Sequence, residues 1–421
     1  MVDSAPTALA GDELQVPCVD GVQRRYLSFD AAAATGALPS VLDAVWAFIP
    51  WQASVQGGAG YKSQASAVGL ESARLAALAF AGRGTDDAVL FCRNATEAID
   101  RLADRLRLGR DDVVVTTVAE HIANLRPWAR TAQCRYVGCG GDGTFDTEDV
   151  VTALRGRPRP ALLAITGASG VTGWMPPLAD VIEAAHRRGV PVLVDAAQLA
   201  PHEPLPADAD FLAWSGHKMY APFGIGVLIG PRRLLRAEDA RTGLAGTEAD
   251  GSPNVIGAVA LHAAIQTLGE TGWPAIAAHE RSIAASMRCG LAAIPGVRLL
   301  GPEAGAQRLP IATFTVTGMP HALVAARLAA EHAIGVGHSR FGADLYLDRL
   351  LGVADEDTGN RRAIRGAVRA SAGINTTLDD VRRLLAAVAS VVASDLPVPY
   401  RRDLSTGDFF PAAGTPPERA A

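Results

Sequence analysis

Lys218 stands in an unusual place for a charged side chain. It lies in the stretch Asp210-Phe-Leu-Ala-Trp-Ser-Gly-His-Lys-Met-Tyr220. This reads as a buried strand over residues 211–214, then a polar turn carrying Ser215, His217 and Lys218. Gly224 and Gly226 lead from the turn into a second apolar strand. A lysine at a strand end, hemmed in by apolar neighbours, is poorly solvated, and its pKa falls, as imine chemistry requires. A lone lysine in such a turn would instead be read as the exposed tip of a hairpin. A second group argues against that.

The second group is Asp195, twenty-three positions upstream in Val190-Pro-Val-Leu-Val-Asp-Ala-Ala-Gln198. Four apolar residues run into the carboxylate, which places it at the carboxyl end of a buried parallel strand, the edge where open α/β sheets bind ligands. Alone it would be read as a helix cap. Together, Asp195, Gln198 and the Ser-x-His-Lys turn are groups that a pyridoxal phosphate site needs. The carboxylate keeps the pyridine nitrogen protonated, and the lysine holds the aldehyde as an imine.

Three further segments occur in a telling order: Ala88-Val-Leu-Phe-Cys-Arg-Asn-Ala-Thr-Glu-Ala-Ile99, Ala119-Glu-His-Ile-Ala-Asn-Leu-Arg-Pro-Trp128 and Asp250-Gly-Ser-Pro-Asn254. With the lysine turn they resemble the class V aminotransferases of the fold-type I pyridoxal-phosphate superfamily, and among these the cysteine desulfurase branch. The resemblance runs from about residue 26 to about residue 395. It implies an α/β fold with a large domain, built on a mostly parallel seven-stranded type of sheet between helices, and a smaller α/β C-terminal domain. It also implies a homodimer with its active sites at the interface.

The resemblance assigns roles residue by residue. Asn94, Ala95 and Thr96 open a helix after a strand, and a helix N-terminus suits the cofactor phosphate. Ala95 replaces one of two hydroxyl residues usual there, so backbone N–H groups are expected to do more. His121 matches the ring-stacking histidine and can assist proton transfer. Gln198 would bond the cofactor's phenolic oxygen. Ser215 and His217 would hold the phosphate, joined by Ser252 from the second subunit. Arg369 matches the arginine that grips a substrate carboxylate, a job its planar fork suits, although a solvated arginine would look the same in sequence. Tyr61 would line the entrance, and Gly170 and Arg340 would lie near the substrate. The run Gly57-Gly-Ala-Gly-Tyr-Lys-Ser63 lacks the Gly-Lys-Ser/Thr order of a nucleotide loop.

Composition narrows the alternatives. The 421-residue chain is 49% hydrophobic and 20% charged, enough apolar content for a substantial core in two units. A net charge of −5 and only 5% aromatic residues offer nucleic acid neither a basic face nor stacking platforms. No apolar run approaches the roughly 20 residues of a membrane span, and no signal-like segment opens the chain, so a cytoplasmic enzyme is expected. Five cysteines are too few for a disulfide scaffold, and no metal-binding spacing is present.

Apolar strands alternate with helical patterns at residues 96–106, 113–117, 161–166 and 178–188. A long helix is expected from residue 255 into the 280s, and a strand–helix–strand–helix unit follows. The expected division is a flexible segment 1–24, a cofactor domain 25–288, a small domain 289–398 and a flexible tail 399–421.

No cysteine follows Cys289, whereas the desulfurases carry a loop thiol in the segment matched here by residues 334–346. The expectation is therefore an amino-acid enzyme working through an imine and an α-carbanion. Cβ–S elimination from a cysteine S-conjugate in secondary metabolism is the preferred reading, and a persulfide-forming desulfurase is not expected. Transamination or decarboxylation is the alternative, and an inactive binding module a remote one. Gly170 and Gly335, standing near an expected asparagine and arginine, suggest room for a larger substrate.

Overall fold

The computed structural model describes residues 6–55, 59–235, 252–303, 305–353 and 365–412. A seven-stranded sheet dominates it. Its spatial order is Asp87–Cys92, Gly226–Pro231, Phe211–Ser215, Val192–Asp195, Leu162–Thr166, Val113–Thr117 and Gln133–Val137. The last five strands pair in parallel, and Gly226–Pro231 runs antiparallel to both its neighbours. The central strands are buried along their whole length because helices cover both faces, which is why they read as unbroken apolar runs and not as alternating ones.

This topology gathers the chemistry at one edge. The parallel strands all deliver their carboxyl ends there, and with them come His121 after Thr117, Gly170 after Thr166, Asp195 itself and Lys218 after Ser215. Register adds Gly226 and Cys92, which pair with each other while Gly226 also faces Ser215. The helix Ala95–Leu106 starts at this edge, capped by the Asn94 side chain, which accepts from Glu97 N–H.

A five-stranded sheet forms the second unit, in the order Val297–Leu300, Ile311–Val316, Ala367–Ser371, Ile334–Ser339 and Leu27–Phe29. Phe29, Phe314, Leu328, Val368 and Leu384 meet in its own core. The expected division by sequence order differs from this arrangement in one respect: Leu27–Phe29, near the start of the chain, pairs in parallel with residues 334–336. The long helix expected from residue 255 is two, Val255–Thr271 and Trp273–Ala292. They break at Gly272, whose φ of +81° ends the first, and Pro274 opens the second.

Both tails are more ordered than expected. In the N-terminal segment Ala10 N–H donates to Ala37 O, Val19 N–H to Ala330 O, and Asn375 to the Asp12 carboxylate. Backbone bonding of this kind anchors a segment whose composition looks loose. The C-terminal residues form a hairpin of Tyr400–Arg402 and Phe409–Pro411, and Tyr400 Oη donates to Glu331. Residues 1–5 and 413–421 lie outside the described residues.

Candidate active site

A cavity of about 640 Å³ opens at the sheet edge, between the two units. Lys218 ends the short turn Gly216–Lys218 in its wall. Burial pushes the ammonium down to about 8, against the opposing pull of Asp195, and Arg369 lowers it further. Asp195 is buried, and its carboxylate accepts from Ala197 N–H at 3.0 Å, which fixes its direction. Gln198 donates to Ala32 O at 2.8 Å.

His121 faces the cavity with its Nδ1 accepting from Ala123 N–H at 3.1 Å. In the neutral ring the proton therefore sits on Nε2. Burial lowers the pKa of this imidazole, Asp195 raises it, and Lys218 lowers it further. Behind it lies a buried chain of polar groups. Glu120 accepts from Thr117 Oγ1 at 2.7 Å and from Asn124 Nδ2 at 2.8 Å, and Trp128 Nε1 donates to Asn124 at 3.1 Å.

The helix start at Asn94, Ala95 and Thr96 lines the same cavity. Ala95 N–H is already taken: it donates to Ser215 Oγ at 2.8 Å. Glu97 N–H is taken by Asn94. The N–H and hydroxyl of Thr96 are thus the first-turn groups without an internal partner among the described residues. The expectation that backbone N–H groups compensate for Ala95 is narrowed to Thr96. The approach here is tight, for a Cβ at Gly226 would lie 2.5 Å from the Asn94 backbone.

Arg369 is buried in the strand Ala367–Ser371 and lines the cavity from the second unit. Its Nη1 donates to Gly170 O at 2.8 Å and its Nη2 to Asp30 at 3.0 Å, and its guanidinium lies 4.6 Å from the Phe341 ring centroid. Its Nε–H is buried without a partner. A donor orphaned in a cavity wall favours an anionic ligand. Asp30, Phe341 and the Gly170 carbonyl are the positioning groups that sequence reasoning did not single out. They come from three distant segments; Gly170 is a sequence candidate for its missing side chain and not for its carbonyl, and Asp30 and Phe341 carry no local signal.

Lys218, His121, Asn94, Ala95, Thr96, Asp195, Gln198, Ser215, His217, Gly170 and Arg369 all border this cavity. Three candidates do not. Arg340 turns away, paired with Asp344 and, at 2.8 Å, with Asp348. Tyr61 is 76% exposed on the outer surface, its ring 5.9 Å from that of Trp51. Ser252 is exposed and lies outside the cavity of its own chain. Gly57 and Gly58 lie outside the described residues, as do Asp250 and Gly251. The two glycines read as making room do not make it: a Cβ at Gly335 would collide with the Tyr26 hydroxyl, and one at Gly170 would come within 3.0 Å of Gln198. Side chains from elsewhere already fill both spaces.

A lysine, a carboxylate and a helix N-terminus at one edge of a mostly parallel seven-stranded sheet define a fold-type I pyridoxal-phosphate enzyme. The chain belongs to the class V aminotransferase family, whose model matches residues 27–384. It is 32% identical to a cysteine desulfurase of Klebsiella pneumoniae over 89% of this chain and 94% of that one. A probable cysteine desulfurase of Mycobacterium leprae is 31% identical over 92% of this chain and 97% of its own. Among solved structures, a cysteine desulfurase from Escherichia coli superimposes with a TM-score of 0.73 at 30% identity, covering 86% of this chain and 94% of that one. One from Thermococcus onnurineus gives 0.77 at 25%, covering 87% and 94%. Enzymes of this family depend on pyridoxal phosphate, and this chain is such an enzyme. No described helix is long and apolar enough to cross a membrane.

These relatives overturn one expectation. Elimination from a cysteine S-conjugate in secondary metabolism, with desulfurase chemistry excluded, does not stand against near full-length similarity to proteins named cysteine desulfurase. The absence of a cysteine after Cys289 does not outweigh them, because one residue type at one loop is a weaker signal than similarity spread over some 400 positions.

Proposed function

We propose that the chain is a cysteine desulfurase that breaks the Cβ–S bond of L-cysteine, gives alanine and passes the sulfur to a thiol. The observation that carries this reading is the convergence of Lys218, His121, Asp195 and Arg369 on one cavity in a chain with such relatives. Bound pyridoxal phosphate supplies an electron sink for an amino acid attached at its aldehyde carbon. Asp195 would face the pyridine nitrogen and Thr96 the phosphate. Lys218, whose amine is half neutral near pH 8, takes and returns the proton at the substrate's Cα. His121 offers Nε2 as a second proton carrier. Arg369, held by Asp30 and Gly170, orients the substrate carboxylate through the N–H groups that these two leave free. Five free cysteines fit residence in a reducing cytoplasm.

A homodimer is part of the reading. Trp46, Ile49, Trp51 and Tyr61 are exposed on neighbouring segments, and Ser252 is exposed and borders no part of its own cavity, as a group donated to a partner should. The test is to incubate the cofactor-loaded enzyme with L-cysteine and dithiothreitol and to assay products. Alanine and sulfide in equal amounts support the proposal. Pyruvate in place of alanine overturns it.

A further inference from the structure

We infer that Tyr220 is a positioning residue that sets where Lys218 stands in relation to Arg369, acting from outside the cavity. The inference rests on the reading of Lys218 as the base at the substrate's Cα. Tyr220 lies two residues after the lysine, is fully buried and lines no part of the active-site cavity. It touches the chemistry only through its neighbours in the chain and the groups that hold it.

The backbone of Tyr220 is strained. Its φ of +68° lies in the left-handed region that a bulky side chain avoids. Such a conformation persists where the surroundings over-determine it, and it clusters beside reacting groups. Thr35 supplies much of that constraint by clasping the chain on both sides of Lys218. Its N–H donates to His217 O at 2.8 Å and its Oγ1 donates to the same oxygen at 3.2 Å. The same Oγ1 accepts from Tyr220 N–H at 2.8 Å. Within the turn, Met219 N–H and Ala221 N–H both donate to Gly216 O at 3.0 Å, so the chain closes around Lys218.

The side chain ties this turn to the second unit. The Tyr220 hydroxyl accepts from Ile374 N–H at 2.9 Å. Ile374 is buried in a tight turn, where Thr376 N–H donates to Gly373 O and Gly373 N–H to Thr376 Oγ1. That turn follows directly on the strand Ala367–Ser371, in which Arg369 stands. Lys218 and Arg369 belong to different sheets, and the phenol bond joins their two segments behind the cavity wall. A base must reach the Cα of a substrate whose carboxylate Arg369 holds, so the spacing of these two groups decides the geometry of proton transfer. Burial makes the bond hard to replace. Without the phenol oxygen, Ile374 N–H is left unpaired in a place closed to water.

The test is exchange of the Cα hydrogen of L-alanine in D2O by the holoenzyme, followed by proton NMR. Exchange reads proton transfer alone, whether or not the enzyme desulfurates cysteine. Tyr220→Phe keeps the ring and removes the acceptor. It should slow exchange at saturating alanine about tenfold, short of the roughly 100-fold that a 1 Å misplacement can cost. The half-saturating alanine concentration should stay within about twofold, because Arg369 is untouched. Thr35→Val removes the clasp and should slow exchange likewise, and Thr35→Ser, which keeps the hydroxyl, should restore it. Val388→Ala opens a cavity in the core of the second unit, so it should melt lower yet exchange at the wild-type rate. Wild-type exchange in Tyr220→Phe overturns the inference; so does an equal slowing in Val388→Ala, which marks a general loosening. If Tyr220→Phe does not fold, wild-type exchange in Thr35→Val overturns it instead. Exchange by Lys218→Ala as fast as by wild type removes Lys218 as the base and the inference with it. Exchange that depends on Tyr220, with no alanine formed from L-cysteine, upholds the inference and overturns the desulfurase reading alone.

Discussion

Lys218 can work as a base because it is poorly solvated. An ordinary lysine at 10.5 is almost wholly charged at pH 8, whereas burial brings this one down to about 8. Only the neutral amine can attack the cofactor aldehyde. Uptake of pyridoxal phosphate by the cofactor-free protein should therefore speed up as pH rises from 6 and level off just above 8. Stopped-flow absorbance across pH 6–10 measures this, and a rate still climbing towards 10 would mean that the lysine is not depressed. Glu120 is shifted in the opposite sense, for burial pushes its carboxyl from 4.5 up to about 8. A group raised on folding contributes stability that is full below its unfolded pKa and is lost as pH climbs through the folded one. Wild-type Tm should thus fall between about pH 5 and 8.5, and Glu120→Gln, which can still bond Asn124 and Thr117, should flatten the fall. Parallel slopes for the two proteins would remove Glu120 as the cause. Glu120 marks what was and was not legible at this scale. Its neighbour His121 is legible through its local motif, while the buried bonds of Glu120 to Thr117 and Asn124 depend on how the turn after the strand folds back.

Elements were legible where they are written locally. The strands at residues 113–117 and 211–214 carry continuous apolar runs, and the helix Leu378–Ala393 begins with a capping box between Thr377 and Asp380 that its sequence spells out. Pairing between distant segments was not legible. Nothing in Leu27–Phe29 announces that it joins residues 334–336, and nothing in Tyr26 announces that its hydroxyl fills the space beside Gly335. Gly226 belongs with these, since its need to be glycine arises only where its strand passes Asn94. Gly226→Ala should push the start of the helix Ala95–Leu106 out of line, costing about 1–3 kcal/mol of stability. The same displacement moves Thr96, so cofactor affinity should weaken about tenfold, the loss of one hydrogen bond to a charged group. Absorbance titration and thermal melts read the two effects separately. A variant that melts lower yet binds the cofactor as tightly would show that the start of this helix is not the phosphate site.

At the scale of the molecule, the proposed dimer would add Ser252 to the phosphate site of the other chain. Ser252 precedes the helix Val255–Thr271, and the next residues are pinned: Asn254 donates to Phe223 O and Gly224 O and caps the helix by accepting from Gly257 N–H. Ser252 itself is exposed and does not border the cavity of its own chain. On the same chain Trp46 is 69% exposed, Trp51 45% and Tyr61 76%, large apolar areas that a monomer would leave in water at a cost of about 25 cal/mol per Å². A second copy covering these helices would bury the rings and bring Ser252 to the opposite phosphate site. Sedimentation at micromolar concentration should then give twice the mass of one chain. Trp46→Asp places a charge in the covered patch and should shift the protein towards monomer. Because Trp46 does not border the active-site cavity, any accompanying loss of cofactor affinity would come through the partner; one lost phosphate bond predicts about tenfold. Ser252→Ala should reproduce that tenfold loss while leaving the dimer intact. The paired result separates the two causes: if Trp46→Asp dissociates the protein but binds pyridoxal phosphate as tightly as before, each chain completes its own site and Ser252 has no part in it.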